Sequence, residues 1–271
     1  VVEDCAVQGS SVSGVRIHGH CELVQINNCD VGPNPSTGIE VGNNASGQIH
    51  VSGCRIHDNS SLDKGGGVHA AGGLDECEIH LVDTEIHDNF ANQGGGFHLG
   101  RHVNFVTIKN CVLRDNEAAN GAGLYVSQPS YGQGLKIDDT LISGNAAQLV
   151  GGGMLVELTH HGTIKMTNCQ VVENTAEWLG GGVAVRWCND GLNFQVKNCE
   201  FLNNSCEEGG GGLNAESAVP AQVRDSHFCG NFPEPLAGDW EGSGNVVVDT
   251  CQAGACCIGS DCMQMSYAKC E

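Results

Sequence analysis

Aromatic side chains, basic side chains and helical periodicity are all scarce in this chain of 271 residues. Only 5% of the residues are aromatic, and apolar residues nowhere keep a helical spacing for more than about two turns, so a helical or ordinary packed globule is disfavoured. Twelve Lys and Arg oppose 32 Asp and Glu, and the formal charge of −20 argues against nucleic acid as a partner. Since no apolar run approaches the ~20 residues that span a bilayer, membrane insertion is not expected either.

Glycine and cysteine are abundant instead, with 40 Gly and 16 Cys. A high and even number of cysteines favours an oxidising compartment, so we expect a secreted, extracellular or cell-surface protein. The chain begins at Val1 without an initiator Met or a signal peptide, which predicts a processed part of a longer secreted product.

An asparagine recurs along the chain in steps of 27 to 30 residues. The members of this series are Asn59, Asn89, Asn116, Asn145, Asn174, Asn204 and Asn231. Glycine-rich blocks keep the same step, at 65–67, 94–96, 121–123, 151–153, 180–182 and 209–212. A fixed period of this length indicates a solenoid.

Each period contains three short stretches that alternate apolar and polar residues, as half-buried strands do. The first strand follows the glycines, the second is represented by Ile49-His50-Val51, and the third begins after a Cys, Thr or Ser such as Cys54. Three strands in ~29 residues, with no helix between them, predict an all-β parallel β-helix of about eight coils. A propeller blade needs about 40 to 50 residues and is disfavoured.

The recurring residue types have structural explanations. Glycine lets neighbouring coils approach closely, and an Asn at the same turn of successive coils can form a buried amide ladder. We therefore predict that the seven asparagines are structural, and that the Cys/Thr/Ser column points inward as small core residues.

An apolar residue three positions before the ladder Asn, as in Ile56 with Asn59 or Phe201 with Asn204, combines here with a glycine block. This pattern resembles the polymorphic outer membrane protein repeat and, more widely, the right-handed parallel β-helix repeat proteins. It departs from the former because Ile, Leu or Val replaces Phe in most coils and no autotransporter barrel is found. The resemblance covers roughly residues 14 to 235 and implies surface display, often as an adhesin.

The last part of the chain breaks the repeat and is rich in cysteine. It is similar to small Cys-rich modules at the ends of secreted proteins, so we divide the chain into a β-helix at 1–235 and a Cys-rich capping segment at 236–271. The disulfide candidates there are Cys251, Cys256, Cys257, Cys262 and Cys270.

Histidines and aspartates align between two neighbouring coils and form a candidate metal site. His57 and Asp58 fall one period before His87 and Asp88, and equivalent residues of adjacent coils lie about 5 Å apart. This spacing allows a shared divalent ion such as Zn²⁺ or Ca²⁺. The alternative is that repeat duplication has copied solvent-facing side chains and that no cofactor is bound.

A second candidate is the outward column of the first strand, where Glu40, His69, His98 and Tyr125 form a possible binding face. Parallel β-helices also host polysaccharide lyases, hydrolases and epimerases, but the clustered carboxylates and family motifs of such enzymes are missing from this column. We therefore expect a structural or adhesive module more than an enzyme, with a polysaccharide-active enzyme as the alternative.

The expected partners are a glycan or a protein at the cell surface, or another copy of the chain. Because no cap is recognisable at Val1, the sequence also predicts end-to-end association into an extracellular filament.

Overall fold

The computed structural model describes residues 1–71, 77–100, 103–127, 134–158, 161–189 and 191–251, and the backbone of 255–258 and 261–264. All regular structure in these ranges is β, and the all-β parallel solenoid predicted from the repeat is confirmed. None of the described residues belongs to a helix long and apolar enough to cross a membrane.

Sheet 1 collects the strands that follow the glycine blocks, and its nine strands pair in parallel. Its strands are Val15–Ile17, Ile39–Val41, Val68–Ala70, Phe97–Leu99, Leu124–Ser127, Met154–Glu157, Val183–Cys188, Leu213–Ser217 and Leu236–Gly238.

Sheet 2 contains the second strand of each coil and has ten strands. They are Val2–Glu3, His20–Asn27, Ser46–Ser52, Cys77–Val82, Phe105–Lys109, Gly134–Asp138, His161–Thr167, Gly191–Lys197, Ala221–Arg224 and Trp240–Glu241.

Sheet 3, also of ten strands, contains the third strand of each coil. They are Ala6–Val7, Asp30–Val31, Arg55–His57, Glu85–His87, Val112–Arg114, Leu141–Ser143, Gln170–Val172, Glu200–Leu202, His227–Cys229 and Val246–Val248. Regular stacking thus continues to Val248, past residue 235. An antiparallel pair, Ala255–Ile258 with Asp261–Gln264, follows it.

The core runs along the axis enclosed by the three sheets. Inward residues of equivalent positions stack on one another, and Phe201 and Phe228 lie parallel with ring centroids 4.5 Å apart. Each fully buried Ile, Leu or Phe contributes about 1.5–3 kcal/mol, so the core accounts for most of the stabilisation. The Cys/Thr/Ser column is buried in this core, with Cys54 and Cys111 each 2% exposed.

Single residues in the left-handed conformation form the corners. One corner, before the Cys/Thr/Ser column, has φ values of 49–55° at Asn28, Asp83, Asn110, Asp139, Asn168, Asn198 and Asp225. The other precedes the ladder Asn and has Asp58, Asp88 and Asp115 at φ 51–53°. Asn and Asp tolerate this conformation better than other non-glycine residues, which explains why they recur at these corners.

A fourth, smaller sheet lies outside the core that the three sheets enclose. Its strands are Phe90–Gln93, Glu117–Asn120, Ala146–Val150 and Thr175–Ala176, and they belong to the segments between the ladder Asn and the glycine block. These segments fold back over the outer face of sheet 1. As a result the outward residues Tyr125, Leu155 and Ala184 pack against Val150 and are at most 3% exposed.

Candidate functional site

His57 and His87 lie on the outer face of sheet 3 as the repeat predicts. The two residues are direct cross-strand neighbours, and their rings stack with centroids 5.2 Å apart and planes 8° apart. Arg114 occupies the same position in the next coil. The column therefore consists of two imidazoles followed by a guanidinium, and the aspartates of the adjacent corner lie beside it.

Most ring nitrogens of the two histidines already have a carboxylate as hydrogen-bond partner. His57 Nε2 lies 2.7 Å from Asp30 Oδ1, and its Nδ1 lies 2.7 Å from Asp58 Oδ2. His87 Nδ1 lies 2.6 Å from Asp88 Oδ2, whereas its buried Nε2 has no hydrogen-bond partner. His57 thus bridges Asp30 of the preceding coil and the corner residue Asp58.

The described residues contain no group of three or more His, Cys, Asp and Glu placed to hold a metal ion. A metal on His57 would have to displace at least one of its two carboxylate contacts. The divalent site on His57, Asp58, His87 and Asp88 stays a prediction. Its aspartates also have a structural function, because both occupy left-handed corner positions.

The segments that form the fourth sheet cover part of the predicted binding face on sheet 1. Glu40 and His69 remain partly exposed at one end, but His98 is only 2% exposed and Tyr125 only 3%. His98 stacks on Tyr125 at 5.2 Å and meets the His69 ring edge-on at 5.1 Å. Of these four residues, only Glu40 and His69 can therefore meet a ligand without movement of the covering segments.

His98 is an unusual buried imidazole, since neither ring nitrogen has a hydrogen-bond partner. Burial, with a smaller effect of the His69 and Lys64 charges, lowers the pKa of His98 to about 3. The ring is thus neutral and packs as an aromatic side chain.

Tyr125 starts a buried polar chain on the same face. Its hydroxyl donates a hydrogen bond to Glu157, whose other carboxylate oxygen accepts bonds from Arg186 Nε at 2.8 Å and Nη2 at 2.6 Å. Burial and the bond to Glu157 raise the pKa of Tyr125. Arg186 also lies 4.1 Å from the Trp187 ring centroid, and the chain ties three coils together.

Glu40 is the exposed acid of this face. Burial acts to raise its pKa, but hydrogen bonds from Ser13 and Arg16 outweigh that effect, and the pKa of Glu40 is lowered. A carboxylate held ionised in this way suits ion pairing better than proton donation in catalysis.

Of the disulfide candidates, Cys251 is bonded to Cys229, a buried residue in the outward column of sheet 3 that also contains His57 and Arg114. The side chains of Cys256, Cys257, Cys262 and Cys270 lie outside the described residues. The other ten cysteines of the described residues form no disulfide, and eight of them are buried.

The lysines on the outer face of sheet 2 were not predicted as part of a site. His50 and His80 lie on this face with ring centroids 4.7 Å apart and planes tilted by 48°, and further along the same column lie Lys136 and Lys165. The signal was available, because these lysines occupy the position between the two inward residues of the second strand.

A family profile described as "Right handed beta helix region" matches residues 1–266. Comparison with curated proteins and with solved structures gave no significant match. The profile confirms the wider of the two resemblances seen in the repeat. Since the match covers nearly the whole chain and the described strands form a parallel solenoid, this protein belongs to the right-handed β-helix family.

Proposed function

We propose that the protein is a secreted or cell-surface structural and adhesive module, whose stacked faces contact a glycan, a protein or another copy of the chain. The supporting observation is an unbroken ladder of amide hydrogen bonds, 2.8–3.0 Å long, from Asn34 to Asn231. A ladder without interruption keeps the coils at a constant spacing of about 4.8 Å. Outward side chains are thereby displayed as rigid rows, which favours multivalent contact.

Glycan or protein binding is tested by immobilising candidate surface polymers and measuring retention of the purified protein as a monomer and as a bead-coupled multivalent form. We expect weak retention of the monomer and at least tenfold stronger retention of the multivalent form, because linked sites raise the effective concentration. Equal retention on all surfaces, including uncoated ones, would overturn the adhesive proposal.

The enzymatic alternative is examined with the same polymers. Incubation with uronic-acid polymers, followed by assays for reducing ends and unsaturated products, should give no turnover. Product formation that is lost in Glu40→Gln or His69→Gln would assign the chain to the polysaccharide-active class instead.

Self-association needs its own measurement. Light scattering across a concentration series, with electron microscopy of the same samples, should show elongated particles that lengthen with concentration. Monomers at every concentration would contradict the filament form of the proposal and leave the adhesive form to be judged by retention.

A further inference from the structure

Basic residues concentrate on the outer face of sheet 2, although the chain as a whole carries a charge of −20. Five of the twelve basic residues of the chain lie in consecutive strands of this sheet with their side chains outward: Lys109, Lys136, Lys165, Lys197 and Arg224. The acidic character of the molecule is therefore reversed locally.

Four of these five cations, Lys109, Lys165, Lys197 and Arg224, form no ion pair with any described residue, whereas Lys136 pairs with Asp138. Lys165 is the cross-strand neighbour of Lys136, and Arg224 is the neighbour of Lys197. Like charges directly opposite each other destabilise a sheet by roughly 0.2–1 kcal/mol per pair, so a bound anion would relieve repulsion that the fold leaves in place.

Three of the unpaired cations, Lys165, Lys197 and Arg224, border a groove of about 360 Å³ at this end of the sheet. Lys165, Gln195 and Gln222 follow one another in one column, and Lys197 and Arg224 form a parallel column. Asp225 and Ser243 also line the groove. A ligand across the two columns would meet neutral donors and acceptors as well as positive charge.

We propose that this groove binds an acidic oligosaccharide, a linear glycan with carboxylate or sulfate groups. Lys197, Arg224 and Lys165 would pair with the charged groups, and the two glutamines would bond to the hydroxyls between them. None of the described residues that line the groove is aromatic, so they offer no platform for the base stacking that single-stranded nucleic acids use. The inference rests on the adhesive proposal for its biological use and deepens it by naming one face and one ligand class.

The test is calorimetric titration of the full chain with an oligogalacturonate of defined length. The matched probes are a neutral oligosaccharide of equal length, sodium sulfate as the free anion, and a single-stranded DNA oligonucleotide. We expect binding of the acidic oligosaccharide to weaken with added salt, and binding of the neutral one to be at least tenfold weaker. Equal affinity for the neutral probe, tighter binding of DNA, or no binding at all would overturn the proposal.

The variant Lys197→Gln/Arg224→Gln should reduce affinity for the acidic oligosaccharide about tenfold or more, because two charge-assisted contacts are lost. The control, Arg55→Gln/Lys64→Gln, removes the same charge outside the groove and should stay within twofold of the parent. Gln222→Ala is the second variant, expected to weaken binding without changing its salt dependence. Equal weakening by the groove and control variants would show that only net charge matters and would contradict a built site.

The two proposals fail separately. Titratable binding of the oligosaccharide without retention on polymer surfaces would preserve the groove and reject the adhesive function. Retention that is unchanged in Lys197→Gln/Arg224→Gln would preserve adhesion and reject the groove.

Discussion

At the scale of the residue, two buried columns of polar side chains tie each coil to the next. In one, the Asn ladder, the side-chain oxygen of each Asn accepts bonds from both the backbone and the side-chain amide of the preceding Asn. In the other, a hydroxyl or thiol accepts the backbone N–H of the preceding coil, as Ser226 Oγ does from Cys199 N at 3.1 Å. Both columns satisfy polar backbone groups that the corners leave buried.

Asn145→Ala should therefore destabilise the fold far more than its side-chain size suggests. It removes the acceptor for Asn116 N–H and for one N–H of Asn116 Nδ2, so the buried backbone donor loses its partner and Nδ2 keeps only its bond to the Ile86 carbonyl oxygen. We expect a loss of about 3 kcal/mol in the free energy of unfolding, measured by urea denaturation. Asn104→Ala, at an exposed position, is the control and should change the value by less than about 0.5 kcal/mol.

The sequence alone predicted this ladder well, because a buried amide repeating once per period has no better explanation. Asn34 was not predicted as part of the ladder because the repeat is degenerate in the earliest coils. Its side-chain nitrogen nevertheless donates a hydrogen bond to Asn59 Oδ1 at 2.8 Å. Asp58 and Asp88 were interpreted as metal ligands, and their left-handed backbone could not be deduced from residue type. An Asp beside a His is compatible with either explanation.

His98 should make the protein sensitive to acid. Its pKa falls from the ordinary 6.5 to about 3 in the fold because the ring is buried, so the unfolded chain binds a proton at pH values where the native chain does not. Its effect on stability is then constant above pH 6.5 and becomes unfavourable as pH falls toward 3. His69 and Lys64, the charged neighbours, act in the same direction.

His98→Phe keeps the stack on Tyr125 and removes the titrating group. Between pH 7 and 4.5 it should lose about 2–3 kcal/mol less stability than the parent in urea denaturation. The exposed His18→Phe serves as control and should keep the parental pH dependence. If His98→Phe and the parent lose equal stability, the buried neutral imidazole is not the source of acid sensitivity.

At the scale of the element, the glycine block is a place where neighbouring coils approach too closely for a side chain. A Cβ on Gly211 would lie 2.2 Å from the carbonyl oxygen of Phe232 in the next coil, whereas a Cβ on Gly209 would meet nothing closer than the Glu234 side chain at 3.3 Å. The two residues belong to the same block, so repetition of glycine there has different causes at different positions.

Gly211→Ala should lower the free energy of unfolding by about 3 kcal/mol or prevent folding, because the coils must separate to admit the methyl group. Gly209→Ala should be neutral or stabilising by up to about 1 kcal/mol, since its backbone needs no left-handed conformation. Circular dichroism during thermal unfolding of both variants checks this. Equal destabilisation would mean that local backbone freedom, and not the contact with Phe232, requires the glycines.

The covering of sheet 1 was the element that sequence could not predict. The alternation of apolar and polar residues correctly placed His98 and Tyr125 on the outside, but it contained no information about what lies over them. Only the fold shows that the segment after each ladder Asn bends back. The available signal was that the outward column of sheet 1 becomes apolar at Leu155 and Ala184. A covered outer face explains these apolar residues.

At the scale of the whole molecule, cysteine serves chiefly as a core residue. Burial raises the pKa of both Cys77 and Cys111 to about 11, which leaves roughly one thiol in a thousand ionised at pH 8. The cysteine count suggested an oxidising compartment, but eight of the ten free thiols of the described residues occupy buried sites instead of disulfides.

Thiol labelling of the native protein at pH 8 should therefore modify only Cys5 and Cys21 among these ten cysteines, with modified positions identified by peptide mass spectrometry. The same reaction in guanidinium chloride should reach all ten. Labelling of Cys111 in the native state at a rate close to that of Cys5 would contradict the tightly packed interior.

The Asn ladder also makes the molecule directional. Every side-chain amide from Asn34 to Asn204 donates to the following coil, and none of these seven bonds runs the opposite way. Two copies that joined like ends would run their ladders in opposite senses, whereas copies stacked in the same sense would keep one polarity along the assembly. Such a contact is heterologous and does not close on itself, so assembly would add subunits without limit and at different rates at its two ends.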